Sequence, residues 1–172
     1  MLSLSDNEFS VIDFLVRNFT EKLTIRSIAQ RLGFSPAGVF NILKKLEREN
    51  VVFGQKLGTG LFYSINLENK LSQHLASIVL LHSDEKPGID VGQFRQAKSA
   101  IFDKKNLLLV TDNLTTLDIS IPNVNIISKT EDELVELFRK RDPETLQIFK
   151  KGTVLFGEEK IVSIIKNCSG GF

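Results

Sequence analysis

Side chains that can bind an anionic ligand are concentrated between positions 41 and 48 of the sequence. They are Asn41, Lys44, Lys45 and Arg48. Cationic groups of this kind bind phosphate oxygens, and an asparagine amide can also bond the edge of a base. The chain has 22 lysines and arginines against 21 acidic residues, a net charge of +1. Any basic surface for a nucleic acid must therefore be local.

Caps and apolar spacing predict the helix that carries these side chains. Ser35 can cap it, and Pro36 takes the first position, where a missing N–H does no harm. Its apolar face is formed by Val39, Ile42, Leu43 and Leu46. The amide and cationic side chains fall largely outside that face.

A shorter helix is predicted before this one, and a hairpin after it. Thr24 can cap the shorter helix, and Gly33 can end it in a left-handed turn. Two β-rich runs, Val51–Phe53 and Leu61–Ile65, are joined by a turn at Gly58-Thr59-Gly60. Upstream, Ser5 and Glu8 have the spacing of a capping box and open a helix expected to pack against the pair.

Helix, glycine turn, helix and hairpin in this order resemble the winged helix-turn-helix transcription regulators of bacteria and archaea. That group includes the MarR-like and ArsR-like families, and the resemblance covers roughly residues 5–66. In these proteins the second helix of the pair enters the major groove of DNA, and the hairpin, or wing, lies along the phosphates. The resemblance implies a reading helix over Ser35–Asn50 and a wing over Phe53–Phe62.

The resemblance also implies that double-stranded DNA is the partner. Asn41 and Lys44 would lie nearest base edges or flanking phosphates, while other cations would mainly contact phosphates. The full implied set is Ser35, Asn41, Lys44, Lys45, Arg48, Lys56 and Thr59. The alternative is that the fold is kept only as a module for protein contacts or assembly.

A further helix is predicted over Asn66–Ser83, with apolar residues at steps of three and four. A helix that leaves the wing has little of its own domain left to cover. We therefore expect it to pack on the C-terminal region, on a second subunit of a homodimer, or on both. His74 and His82 lie eight positions apart without an acidic or cysteine companion, so we expect surface histidines rather than metal ligands.

The second half of the chain alternates predicted strands with predicted helices. A polar segment, Ser83–Gly88, is predicted to be the linker, and a short helix is predicted over Val91–Ala100. Predicted strands are Ala100–Phe102, Leu107–Val110, Val124–Ile127 and Thr153–Phe156, and helices are expected after Thr130, after Asp142 and over Glu158–Asn167. This pattern is typical of a small α/β domain. We predict an α+β protein with a winged helix in residues 1–66, a connection in 67–89 and the α/β domain in 90–172.

The run Ser128–Ile165 resembles the closing half of small archaeal and bacterial nucleotidyltransferase-like domains, whose last strand reads much like TVLFG. Active members carry a Gly-Ser turn that holds the triphosphate and an Asp-x-Asp pair that holds magnesium. Here the segment after the first strand reads Asp103-Lys104-Lys105-Asn106. The resemblance therefore implies a non-catalytic domain for dimerisation or sensing, with no cofactor and no metal.

A divergent magnesium-dependent nucleotidyltransferase is the enzymatic alternative, and it would use Asp103, Asp112 or Asp118. The single cysteine, Cys168, excludes an internal disulfide and a cysteine-based zinc site. The N-terminus lacks the pattern of a secretion signal, and no apolar run has membrane-spanning length. We therefore expect a cytoplasmic protein without a membrane partner. Nothing in the sequence identifies an effector.

Overall fold

The computed structural model describes residues 4–82, 88–94, 96–112 and 120–169. Its contacts divide the chain into two units, Met1–Val79 and Leu80–Phe172. The first unit consists of helices followed by a hairpin, and the second of a sheet with helices, so the predicted α+β class is confirmed. Every helix in the described ranges is too short or too polar to span a bilayer.

Local capping determines where the helices of the first unit begin. They are α1 (Asp6–Arg17), α2 (Ile25–Leu32) and α3 (Pro36–Arg48). Ser5 and Glu8 form the predicted capping box of α1, and the Thr24 side chain accepts from the N–H of Ser27 at the start of α2. Gly33 ends α2 in the left-handed region, with φ 70°. The predicted order of the three helices is therefore confirmed.

The third helix is two residues shorter at its C-terminal end than predicted. It packs on α1, on α2 and on the strand that follows. Its last helical residue is Arg48, and Asn50 takes a φ of 58°, which cannot continue a right-handed helix. The prediction that it extends to Asn50 is therefore wrong at that end.

The hairpin follows directly, as β1 (Val52–Leu57) and β2 (Gly60–Ile65). The antiparallel register runs from Val52 opposite Ile65 to Leu57 opposite Gly60, so only Gly58 and Thr59 form the turn. Gly58 has a φ of 59°, a conformation that glycine adopts without steric cost. The predicted third turn residue, Gly60, is instead the first residue of β2, and the paired strands extend beyond the predicted Phe53–Phe62.

The helix after the hairpin, α4 (Lys70–Leu81), begins four residues later than predicted. The side chains of Asn66 and Asn69 donate to the carbonyl of Asn50 at 3.1 and 2.9 Å, and Leu67 is buried. These contacts hold residues 66–69 against the end of α3. The prediction that Asn66 caps the helix is wrong, because the Asn69 side chain accepts from the N–H of Leu71 instead. The predicted linker lies, except for Gly88, outside the described residues.

The second unit contains a four-stranded sheet within its described residues. In chain order the strands are β3 (Ser99–Phe102), β4 (Asn106–Thr111), β5 (Asn125–Thr130) and β6 (Thr153–Phe156). The strands lie in the order β5-β4-β3-β6, with β4 and β5 parallel and the other neighbours antiparallel. The helices are α5 (Glu131–Arg139), α6 (Pro143–Lys151) and α7 (Glu158–Ser169). The helix predicted over Val91–Ala100 is wrong, because only Val91–Phe94 forms a 3-10 turn and Ser99 already belongs to β3.

The central strand β4 is buried along Leu107–Val110, as its apolar sequence predicts. Leu107 and Leu109 join Phe94 and Ala100 in one apolar cluster. Leu108 and Val110 point to the opposite side of the sheet, because side chains alternate along a strand. The strand is therefore covered on both faces.

The turn between β3 and β4 is built around Asp103. Its carboxylate accepts from the backbone N–H groups of Lys105 and Asn106 at 3.1 and 2.7 Å, and from the Asn106 amide at 3.1 Å. Lys104, between Asp103 and Lys105, takes a φ of 76°. Burial raises the pKa of Asp103, but the hydrogen bonds from Asn106 and Lys105 outweigh it and lower the pKa overall. The role of the Asp103 carboxylate is therefore to stabilise the turn between β3 and β4.

Replacing Asp103 tests this structural role. We expect Asp103→Ala to lower the free energy of unfolding by about 1–2 kcal/mol, because turn N–H groups lose their acceptor. Asp103→Asn keeps one acceptor oxygen and should be intermediate, as measured by chemical denaturation. Equal stability of Asp103→Ala and the unsubstituted protein would contradict the assignment.

Candidate nucleic-acid interface

The burial of one side of α3 determines which of its side chains are exposed. Val39, Leu43 and Leu46 have no solvent-exposed surface. At 100° per residue, the side opposite them carries four exposed residues. We call these residues the α3 face: Ala37, Asn41, Lys44 and Arg48. The structure thus brings together the predicted Asn41, Lys44 and Arg48.

The N-terminal end of the α3 face carries neutral and cationic groups only. The first turn of α3 contains no acidic residue. Ser35 is exposed, but its hydroxyl oxygen already accepts from the N–H of Gly38 at 3.0 Å. Its role in the structure is to cap the helix, and its predicted contact with DNA stays a prediction.

Lys45 differs from the other predicted cations because an acidic residue neutralises it. Its ammonium lies 2.8 Å from one carboxylate oxygen of Glu8 and 3.0 Å from the other. Only 9% of the Glu8 side chain is exposed, and the same carboxylate accepts from the N–H of Ser5 at 2.8 Å. Lys45 therefore ties α3 to the N-terminus of α1 and lies at the edge of the α3 face.

The environment of Glu8 favours its charged form. Burial alone would raise the pKa of this carboxyl. The hydrogen bonds from Lys45 and Ser5, together with the charge of Lys45, outweigh the burial and lower the pKa overall. The ion pair is consequently intact at neutral pH.

The wing presents Lys56 and Thr59, both exposed. Lys56 lies opposite Leu61 in the hairpin, one residue pair away from the pair that closes the two-residue turn containing Thr59. The wing is more apolar than its predicted role suggests, since Phe53, Leu57 and Leu61 are between 38 and 44% exposed.

Sequence reasoning missed Phe40, which is 41% exposed on α3. The ammonium of Lys44 lies 5.4 Å from the centre of its ring. The i, i+4 spacing of these two residues is the signal that could have indicated their contact.

The aspartates considered as metal ligands in the second unit have other partners. Asp103 is bonded within its turn, and Asp112 forms an ion pair with Lys98. Asp118 lies outside the described residues. Asn125, on β5, donates to the side-chain oxygen of Asn106 at 3.2 Å and so extends the polar network of the turn.

Other candidate ligands give no metal centre in the described part of the chain. No group of three histidine, cysteine or acidic side chains gathers there in an arrangement that could hold a metal ion. His74 and His82 are exposed. Cys168 is buried, and burial raises the pKa of its thiol to about 11, which keeps it protonated and unreactive at neutral pH.

A comparison with known protein families finds a match within the first unit. Residues 2–56 match the model of the MarR family. The matched segment contains α1, α2, α3 and most of β1, and so covers the α3 face and Lys56. This match supports a winged-helix regulator. No curated protein matches the chain. The resemblance of the second half to nucleotidyltransferase-like domains therefore stays a prediction.

The Glu8–Lys45 pair predicts how stability changes with pH. A carboxyl whose pKa is lowered by folding contributes stability above its unfolded pKa and loses it as the pH falls through the folded pKa. We therefore expect Glu8→Gln to be less stable than the unsubstituted protein at neutral pH, and the difference to shrink below about pH 4. Denaturant titrations across this range measure the difference. Asp6→Asn, an exposed acid of the same helical turn, is the control, and a pH-independent difference for Glu8→Gln would contradict the account.

Proposed function

We propose that the protein is a transcription regulator that binds double-stranded DNA through the α3 face and the wing. The observation that carries the proposal is the gathering of Asn41, Lys44 and Arg48 on the exposed side of a helix whose other side is buried. This helix lies in the segment that matches the MarR family model. In helix-turn-helix proteins the corresponding helix enters the major groove.

Each predicted contact follows from the chemistry of its side chain. An asparagine amide can bond the edge of adenine in the major groove, which is the role we propose for Asn41. Lys44 and Arg48 are proposed to bind phosphates beside the groove, and Lys56 to bind them from the wing. We do not include Lys45 among the proposed contacts. If its ammonium moved to a phosphate, the buried carboxylate of Glu8 would lose its partner.

We further propose that the protein acts as a homodimer through α4. Leu71, Ile78 and Leu81 are 37, 53 and 47% exposed. Their spacing of seven and three residues places them on one side of the helix, which we call the α4 stripe. The other side of α4 is also apolar, with Ala76 and Val79 buried.

A second copy of the chain is the partner that best fits the α4 stripe. No charged residue follows Lys70 in α4. A two-fold contact would therefore bring no like charges together along the stripe. Two winged helices related in this way would contact two half-sites of a pseudo-palindromic duplex. The doubled number of contacts would compensate for the weak non-specific attraction of a chain with a small net charge.

For the second unit we propose a non-catalytic role in dimerisation or sensing. Transfer of a nucleotidyl group depends on metal charge and on groups that position the triphosphate. Both carboxylate oxygens of Asp103 accept hydrogen bonds within its turn, and Asp112 forms an ion pair with Lys98. These contacts favour the non-catalytic role over a magnesium-dependent nucleotidyltransferase.

The phosphate contacts predict a specific dependence on salt. We expect Lys44→Ala and Lys56→Ala each to weaken binding to all duplexes and to lower the slope of log affinity against log salt by about one unit. Lys151→Ala, an exposed lysine of the second unit, is the control and should leave the slope unchanged. Fluorescence anisotropy of a labelled duplex at several salt concentrations measures the slope. Unchanged slopes in both test variants would contradict the proposed contacts.

The dimer proposal predicts the effect of a charge in the α4 stripe. We expect Ile78→Lys to weaken self-association by about tenfold or more, because two buried ammonium groups would face each other across the two-fold axis. Sedimentation at micromolar concentration measures the association. Leu61→Lys adds the same charge at an exposed apolar position of the wing, 43% exposed, and should associate as the unsubstituted protein does. A monomeric unsubstituted protein, or an unchanged association constant in Ile78→Lys, would contradict the proposal.

A further inference from the structure

Phe40 is a large apolar residue of α3 that is not buried in the core of the first unit. Val39, Leu43 and Leu46 have no exposed surface, whereas Phe40 is 41% exposed. A single exposed apolar residue needs no explanation by itself. The side chains that surround Phe40 indicate a function for it.

The first three turns of α3 place four different side chains close together. Phe40 directly precedes Asn41 and lies three residues after Ala37, both exposed. The ammonium of Lys44, one turn later, lies 5.4 Å from the centre of the Phe40 ring. This cation–π contact favours one position of the ring and of the ammonium at the edge of the α3 face. In helix-turn-helix proteins this N-terminal part of the second helix contacts the bases.

The groups so arranged are complementary to the major-groove edge of an A·T pair. Adenine presents an acceptor and a donor, which an asparagine amide can bond together, and thymine presents a C5-methyl group that packs against apolar side chains. We infer that Phe40 is a specificity-determining residue that packs on the methyl group of a thymine next to the base contacted by Asn41. The inference rests on the proposed function, since it names the sequence class that the same interface prefers.

Lys44 has a second role in this arrangement. Its ammonium lies over the Phe40 ring, at the edge of the α3 face. From there it can bind the phosphate beside the thymine. The pair therefore couples a sequence-specific apolar contact to a sequence-independent ionic contact.

The test removes the methyl group without changing base pairing. The full-length protein first selects preferred duplexes from a random pool, and each thymine of the preferred site is then replaced by deoxyuridine. We expect at least one position at which the replacement weakens binding by about fourfold, the effect of one methyl group withdrawn from an apolar contact. In Phe40→Ala the same replacement should have no effect, because the partner of the methyl group is already absent.

Val91→Ala is the control. Val91 is an apolar residue outside the proposed interface with a similar exposure of 43%, and its variant should keep the full sensitivity to deoxyuridine. Equal penalties for deoxyuridine in Phe40→Ala and in the unsubstituted protein would overturn the inference. Duplex binding without sensitivity to any methyl group would overturn it while leaving the proposed function intact. No salt-dependent binding to any duplex would overturn both.

Discussion

The complete burial of Val39, Leu43 and Leu46 is the constraint on which the proposed interface depends. Each such side chain contributes about 1.5–3 kcal/mol when it is withdrawn from water, so together they strongly disfavour any other rotation of α3. Because the rotation is fixed, the exposed positions of the helix are fixed too. Asn41, Lys44 and Arg48 owe their common face to residues that are themselves buried.

A second, polar constraint links α3 to α1. Glu8 closes the capping box of α1 and at the same time binds Lys45. The pair joins residues far apart in sequence, and it removes one positive charge from the edge of the α3 face. The basic surface that remains is small, which agrees with a chain of nearly balanced charge. A regulator with this surface needs either sequence-specific contacts or a second copy to bind DNA firmly.

Local signals made most of the first unit predictable from the sequence. Capping by Ser5, Thr24 and Ser35 and the left-handed turn at Gly33 depend on neighbouring residues only, and they determined the helix starts correctly. The start of α4 was predicted wrongly because Asn66 bonds to Asn50, a partner that no local pattern reveals. The pairing of Lys45 with Glu8 could not be predicted either, because the two residues are far apart in the sequence. Gly157, which follows β6, has a φ of 73°, and a side chain there would collide with the carbonyl of Lys98. The reason for a glycine here is a contact with a residue far away in the sequence, which no local pattern reveals.

Mapping of amide chemical shifts would show directly whether the α3 face and the wing bind duplex DNA. An isotope-labelled sample of the full chain is titrated with a short duplex at low salt, and backbone amide signals are followed. We expect the largest changes in Pro36–Arg48 and around the Gly58-Thr59 turn, and little change in α5, α6 and α7. Changes confined to the second unit, or no changes while the duplex is bound, would contradict binding through the α3 face and the wing.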